Sequence, residues 1–294
     1  MKRHTATIGM FDGVHSGHRH LLESLKRTAA AEGTAPLVVT MDRHPLATLR
    51  PELTPPLLME ASERISALRA IVPDVVEVPF TPEMSRLTAG EFITMLRERY
   101  GVESLHLGFN HRFGSDRLTT HRQYAEAGAA AGVRVTIATE YRTPDGRAVN
   151  SSAIRRSLSH FATVMEGIEM LGHPYLIRGR VVHGRSVGRE IGFPTANIEP
   201  HSPAQLIPAR GVYAADAVIE GREHRRAMVN IGCRPTFGEH GGELSIEAHL
   251  IDFEGDIYGS EIALEITDTI RREQRFDSVE ALVAQLRADR KYFL

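Results

Sequence analysis

The chain is poor in cysteine, tryptophan and lysine. Among its 294 residues there is one Cys, Cys233, and no Trp. A single thiol excludes an intrachain disulfide scaffold, a cysteine-based zinc finger and a cysteine-ligated iron–sulfur cluster. Of the 35 basic residues only three are lysines, Lys2, Lys26 and Lys291. None follows a glycine, so the G-x-x-x-x-G-K-[ST] phosphate loop is absent. A nucleotide-handling protein of this composition must hold phosphates with backbone amides, His, Arg and a metal ion. An excess of charge is missing as well: 35 basic against 37 acidic residues leave a net charge of -2. With no charged tail, no nucleic-acid partner is expected. No apolar run approaches ~18 residues, and Met1-Lys2-Arg3-His4 leads into a strand-like stretch rather than a signal sequence. The expectation is a soluble, cytoplasmic protein without a membrane partner. No exposed interface can be read from one chain, and weak self-association is the expectation.

What is present alternates. Ala6–Gly9 reads as a strand, followed by a loop and a helix with Leu21, Leu22, Leu25 and Ala29 on one face. Pro36–Thr40, Val75–Val78, Ser104–Leu107 and Val133–Ile137 add strands, Pro36–Thr40 a near-continuous apolar run of the kind buried on both faces. Thr88 and Glu91 form a capping box that opens a helix carrying Phe92, Ile93 and Leu96 inward. An Ala-rich helix falls near 119–131. Strands alternating with helices predict a parallel, doubly wound α/β sheet. After about residue 175 short strands follow one another: Tyr175 to His183, Gly211 to Ile219, Arg226 to Ile231, Ser245 to Phe253 and Glu261 to Thr267. Five or six antiparallel strands in ~100 residues predict a small β-barrel, closed by a helix over Ser278 to Arg290. The expected division is 1–158 for the α/β domain, 159–174 for a helical linker and 175–294 for the barrel domain.

The loop after the first strand holds the first candidate site. Gly9-Met10-Phe11-Asp12-Gly13-Val14-His15-Ser16-Gly17-His18 opens the first helix, where unpaired N–H groups and partial positive charge favour anions. His15 and His18, three apart, point the same way on the first turn. Gly17 lets a nucleotide approach the backbone. Two imidazoles beside bound phosphates can hydrogen-bond oxygens whose charge grows during transfer, so positioning and charge stabilisation suffice without a protein nucleophile. A zinc site that adds His20 has no supporting carboxylate or Cys nearby. Asn110, beyond a strand end, can read a base or ribose edge. Ser151 and Ser152 start a helix, and Arg155 on its first turns can reach a leaving pyrophosphate with a bidentate fork.

His15-Ser16-Gly17-His18 resembles the H-x-G-H motif of the Rossmann-like nucleotidylyltransferase superfamily. The longer Phe11–His18 stretch is similar to the form in bacterial bifunctional riboflavin kinase/FAD synthetases. Asp42-Arg43-His44-Pro45 and Gly108-Phe109-Asn110-His111-Arg112-Phe113-Gly114 resemble that family's His-Pro and G-x-[DN]-x-x-F-G. Asn150–Arg155 resembles its Ser-Ser-Thr-x-Ile-Arg in part. The resemblance implies that Gly9, Phe11, Gly17, Asn110, Ser151, Ser152 and Arg155 bind ATP and its phosphates, with His15 and His18 catalytic.

The second candidate site is a loop with Gly184, Gly188 and Gly192 at four-residue intervals, whose amides can wrap phosphate. Thr195 and Asn197, two apart on an extended chain, share a face, and their hard oxygens suit Mg²⁺ bridging nucleotide phosphates. On Ser245–Ile251 alternation turns Glu247 away from Ile246, Ala248 and Leu250, towards a site or towards water. Within reach of an alcohol, it could take the proton during attack on ATP. Gly188–Asn197 resembles the riboflavin kinase motif G-R-x-[LI]-G-[FY]-P-T-A-N. Gly211-Val212-Tyr213, Asn230–Phe237, Glu247-Ala248-His249, Tyr258-Gly259 and Arg271-x-Glu273-x-x-Phe276 match in order. This resemblance implies Gly188, Gly192 and Pro194 at ATP, Thr195 and Asn197 at magnesium, Glu247 as base, and Arg271 and Phe276 at the flavin.

The expected activity is bifunctional: phosphorylation of riboflavin by ATP to FMN, then adenylylation of FMN to FAD with release of pyrophosphate. Riboflavin, FMN, FAD and ATP are the expected partners and Mg²⁺ the expected cofactor. Two rivals are a riboflavin kinase with a degenerate adenylyltransferase domain and a non-enzymatic flavin-binding regulator. FMN made without FAD would mark the first. A regulator needs no base, and the joint presence of His15, His18, Thr195, Asn197 and Glu247 argues against it.

Overall fold

The structure, a computed structural model, describes residues 2–184, 188, 191–234 and 243–293. Arg189, Glu190, Pro235, Thr236 and Phe237 of the quoted motifs therefore lie outside the described residues. The chain divides into two compact units, Met1–Ser151 and Ser152–Leu294.

The first unit is built on five parallel strands, β1 (His4–Gly9), β2 (Ala35–Met41), β3 (Val75–Val78), β4 (Val102–Leu107) and β5 (Arg134–Ile137), in the order β3-β2-β1-β4-β5. Both sheet faces are covered, as the apolar runs require. Helices α1 (Ser16–Glu32) and α3 (Ala61–Ile71) bury Leu21, Leu22, Leu25 and Leu68 with Val38 on one face. On the other, α4 (Ala89–Tyr100) buries Phe92, Ile93 and Leu96 with Ala6, Ile8 and Val39, and Tyr124 of α5 (His121–Ala130) joins them. The capping box expected at Thr88 and Glu91 is present. A short helix α2 (Pro45–Leu49) follows β2, with His44 as its N-cap. The strand order turns back on either side of β1, and such a switch point opens a crevice at the strands' C-terminal ends. The loop from Met10 to His15 lies at that point.

In the second unit, α6 (Ser151–Leu158) and α7 (Val164–Leu171) lead into a closed antiparallel barrel. Its strands are β6 (Tyr175–Val182), β7 (Ala196–Pro200), β8 (Gly211–Ile219), β9 (Glu223–Arg234), β10 (Glu243–Leu250) and β11 (Glu261–Arg271), in the order β10-β7-β6-β11-β8-β9. Closure leaves no free sheet edge. A final helix α8 (Val279–Arg290) starts at a Ser278 N-cap whose hydroxyl accepts from Ala281 N–H. Asn197, expected on the glycine-rich loop, sits on β7, a strand hidden in the sequence behind Pro194 and the glycines.

Candidate active sites in the two units

The turn before α1 is held in an uncommon conformation. Phe11 has φ 52°, Gly13 φ 80° and Val14 φ 38°. A left-handed backbone at a β-branched residue is strained and persists only where its surroundings dictate it. The turn delivers His15 as the N-cap of α1, with its Nδ1 accepting from His18 N–H at 3.2 Å. The two imidazoles stack with ring centroids 3.5 Å apart, and Phe11 meets His18 edge-on at 5.2 Å. A Cβ at Gly17 would stand 3.3 Å from the His15 ring, so glycine keeps this surface close to the backbone. Burial, and then the neighbouring His15 and His18's other neighbour His111, hold the His18 imidazole well below its ordinary value. Its buried Nδ1 has no hydrogen-bond partner. Ser151 closes this side, its hydroxyl donating to Asp12 O at 3.3 Å.

Beside these histidines is a cavity of about 380 Å³. Gly9, Met10, Met41, His44, Phe80, Met84, His111 and Phe113 are among its lining residues, an apolar box with imidazoles in its wall. His111 is pushed down to about 4 by burial and by the Arg112 charge, and its Nε2 is buried without a partner. Both orphaned nitrogens suit a ligand rich in hydrogen-bonding atoms. Asn110 is exposed on the Gly108–His111 turn and does not line the cavity. Ser152 is exposed and Arg155 half-buried on the first turns of α6.

In the barrel the second set converges. Thr195 donates to Glu247 Oε2 at 3.2 Å, and the β7–β10 register sets Asn197 opposite Glu247. Both Thr195 and Glu247 line a cavity of about 280 Å³ with Gly188, Phe193, Asn230, Arg271, Phe276 and, from α8, Leu282 and Leu286. Ser245 and His249, which share Glu247's side of the strand, are buried, so that side is not a solvated face. Arg271 is fixed by Asp289 at 2.8 Å and lies over the Phe276 ring at 5.6 Å. Thr195 also lines a second cavity of about 300 Å³ on its other side, with Pro194, Leu250, Phe253 and Tyr258. The Tyr258 ring stacks on His183 at 3.9 Å. Gly184 leaves the space that Asn197 fills: a Cβ there would fall 2.0 Å from the Asn197 amide nitrogen. Gly192 takes φ 79°, a turn open to glycine. Among the described residues no cluster of three or more His, Cys, Asp or Glu could hold a metal ion.

Two family models match the chain in sequence order: FAD synthetase over residues 1–153 and riboflavin kinase over residues 171–293. The bifunctional riboflavin kinase/FMN adenylyltransferase of Escherichia coli (strain K12) is 35% identical over 285 residues, covering 96% of this chain and 89% of that protein. The Bacillus subtilis (strain 168) protein of the same name is 31% identical over 288 residues, covering 97% and 89%. The chain belongs to the bifunctional riboflavin kinase/FMN adenylyltransferase family. A crystal structure from Streptococcus pneumoniae, named as a macrolide-efflux protein, superposes with a TM-score of 0.87 at 32% identity, covering 99% of this chain and 94% of that one. That likeness takes in both units. No helix among the described residues here is long and apolar enough to cross a membrane.

Three features of this family member were not singled out in the sequence. Thr195 stands between two cavities, which no linear motif displays. His111 lies inside a quoted motif, but only the fold turns it into the cavity. Arg64 on α3 is 1% exposed. It shares an i, i+4 stripe with Leu68, so helical periodicity is the signal that places it inward.

Proposed function

We propose that the chain converts riboflavin to FMN in the barrel domain and FMN to FAD in the α/β domain, with ATP as the donor in both steps. The observation that carries the reading is Thr195. It lines two cavities at once, one flanked by Arg271 and Phe276, the other by Tyr258, and it hydrogen-bonds Glu247, which lines the first. A kinase needs this layout, an acceptor pocket and a donor pocket meeting at a base. Riboflavin occupies the Phe276 side and ATP the Tyr258 side; Pro194 lines the ATP side, and Gly188, in the wall of the Phe276 side, and Gly192 offer backbone to the phosphate being transferred. Glu247 takes the proton of the ribityl 5′-hydroxyl as that oxygen attacks the γ-phosphorus, and the bond to ADP breaks. The oxygens of Thr195 and Asn197, beside the Glu247 carboxylate, fit Mg²⁺, which binds through few protein ligands plus substrate phosphates. When bound, the ion would neutralise phosphate charge.

In the α/β domain the FMN phosphate is the nucleophile and needs little deprotonation at neutral pH. Its oxygen attacks the α-phosphorus of ATP, and the bond to the β-phosphate breaks to release pyrophosphate. His15 and His18 stabilise the growing charge at the α-phosphate. His18, held neutral, contributes a hydrogen bond rather than a full charge. Gly9, Phe11, Gly17, Ser151, Ser152 and Arg155 serve ATP and its phosphates, and Asn110 reaches the nucleotide from its exposed turn. The domains run over 1–158 and 175–294 with a linker over 159–174. The enzyme works in the cytoplasm, self-associates weakly, and has no nucleic-acid partner.

Paired variants test the division of labour. His18→Ala is expected to slow FAD formation from FMN by about 100-fold or more, with FMN formation from riboflavin unchanged. Glu247→Gln is expected to slow FMN formation by roughly 10²–10⁴-fold, with FAD formation from supplied FMN unchanged. Either variant keeping its assigned step at the normal rate would overturn that site.

A further inference from the structure

We infer that Arg64 is a positioning residue for adenylyl transfer: from behind the strand ends it holds the strained turn that sets His15 and His18 in place. The inference rests on the α/β domain being the adenylyltransferase. Arg64 projects from α3 into the interior and touches no part of the stacked histidines directly. Its Nη1 donates to Met10 O and its Nη2 to Met41 O, each at 2.8 Å. Met10 follows β1 and Met41 ends β2, so one planar guanidinium spans two neighbouring strand ends where the sheet ladder stops. Thr40 adds a longer contact to Met10 O at 3.4 Å. The charge is offset by the carboxylates of Asp12, of Glu77 on β3 at 3.5 Å and of Asp42, which oppose the lowering of Arg64 by burial.

The turn is held at its middle by the segment that leads into α3. Asp12, 2% exposed, accepts from Leu58 N–H with both carboxylate oxygens at 3.0 Å and from Met59 N–H at 3.2 Å. Residues 58–64 thus grip Met10 through Arg64 and Asp12 through two amides. The residues between and just after these grips are those with left-handed backbone, Phe11, Gly13 and Val14. Phe11 packs against His18 in an edge-to-face pair, and Val14 leads into the His15 cap. Such conformations relax unless their neighbours over-determine them. With Arg64 removed, Met41 O loses its buried donor, Met10 O keeps only the longer Thr40 contact, and the turn loses one of its two anchors.

The test uses the full-length protein with Arg64→Met and Arg64→Lys, measuring FAD formation from FMN, FMN formation from riboflavin, and thermal unfolding. For Arg64→Met the expected result is a kcat for FAD formation lower by about 100-fold, the scale of a small misplacement of reacting groups, with the KM for ATP changed by less than about threefold. Arg64→Lys, which replaces the fork with a point charge, is expected to recover kcat only in part, to between about threefold and tenfold below the parent. FMN formation is unchanged in both. Wild-type kcat per folded molecule in Arg64→Met, or a loss in both variants that follows only the folded fraction, would overturn the assignment. If Arg64→Met does not fold, Arg64→Lys decides alone: a reduced kcat at unchanged KM supports the role, and the parent value contradicts it. Failure of the parent protein itself to form FAD would instead remove the reading on which the inference rests.

Discussion

At the residue scale, the α/β site gathers histidines whose surroundings favour their uncharged forms. His111 falls from an ordinary 6.5 to about 4, chiefly through burial, and His18 is lowered in the same direction. Between about pH 4 and 6.5 the unfolded chain therefore binds more protons at position 111 than the folded one. Stability must rise with pH across that window and fall as the solution is acidified through it. His111→Phe removes one such proton site and suits a wall shared with Met10 and Phe113. The parent's unfolding temperature is expected to fall between pH 7 and pH 5, and the variant's to fall less, with His18 keeping part of the slope. Equal falls in both would contradict a neutral, buried His111. His15 and His18 were legible in the sequence because both lie on one helical turn directly after a strand. His111 and Arg64 were not: Arg64 takes its role from bonds to Met10 and Met41, 54 and 23 positions away, and His111 from a cavity wall.

At the scale of elements, α8 forms part of the wall of the proposed flavin pocket and is locked to β11. Arg271 Nε donates to both Asp289 oxygens, at 2.8 and 3.1 Å, and Gln285 donates to the same carboxylate at 2.8 Å. Asp289 is 3% exposed, so this pair is shielded from solvent, and breaking it leaves a buried charge unmatched. Asp289→Asn is expected to loosen Arg271 and raise the KM for riboflavin by about tenfold, near 1.4 kcal/mol, without slowing FAD formation from supplied FMN. An unchanged KM would separate α8 from flavin binding. The element pattern itself was largely readable, since apolar runs, capping residues and the shift from helix–strand alternation to successive strands survive in a linear chain. β7 was not, because its five residues follow a proline and a glycine-rich loop that carry no period-2 signal. Glu247's facing was also undecided in the sequence: alternation gives a side, and only closure of the barrel buries Ser245 and His249 on it.

For the molecule as a whole, two units of different class share one chain, and each holds its own constellation: the stacked imidazoles behind a strained turn, and the Thr195–Glu247 pair, with Thr195 shared by two cavities. A product of one unit is the substrate proposed for the other, so each activity serves as an internal reference when the other is altered. The most direct measurement follows riboflavin, FMN and FAD over time after the purified protein is mixed with riboflavin, ATP and Mg²⁺. The expected course is FMN rising first and then giving way to FAD, with pyrophosphate released in step with the second product. FMN accumulating without FAD, even when FMN and fresh ATP are supplied, would contradict the adenylyltransferase assignment, and formation of neither product would contradict both.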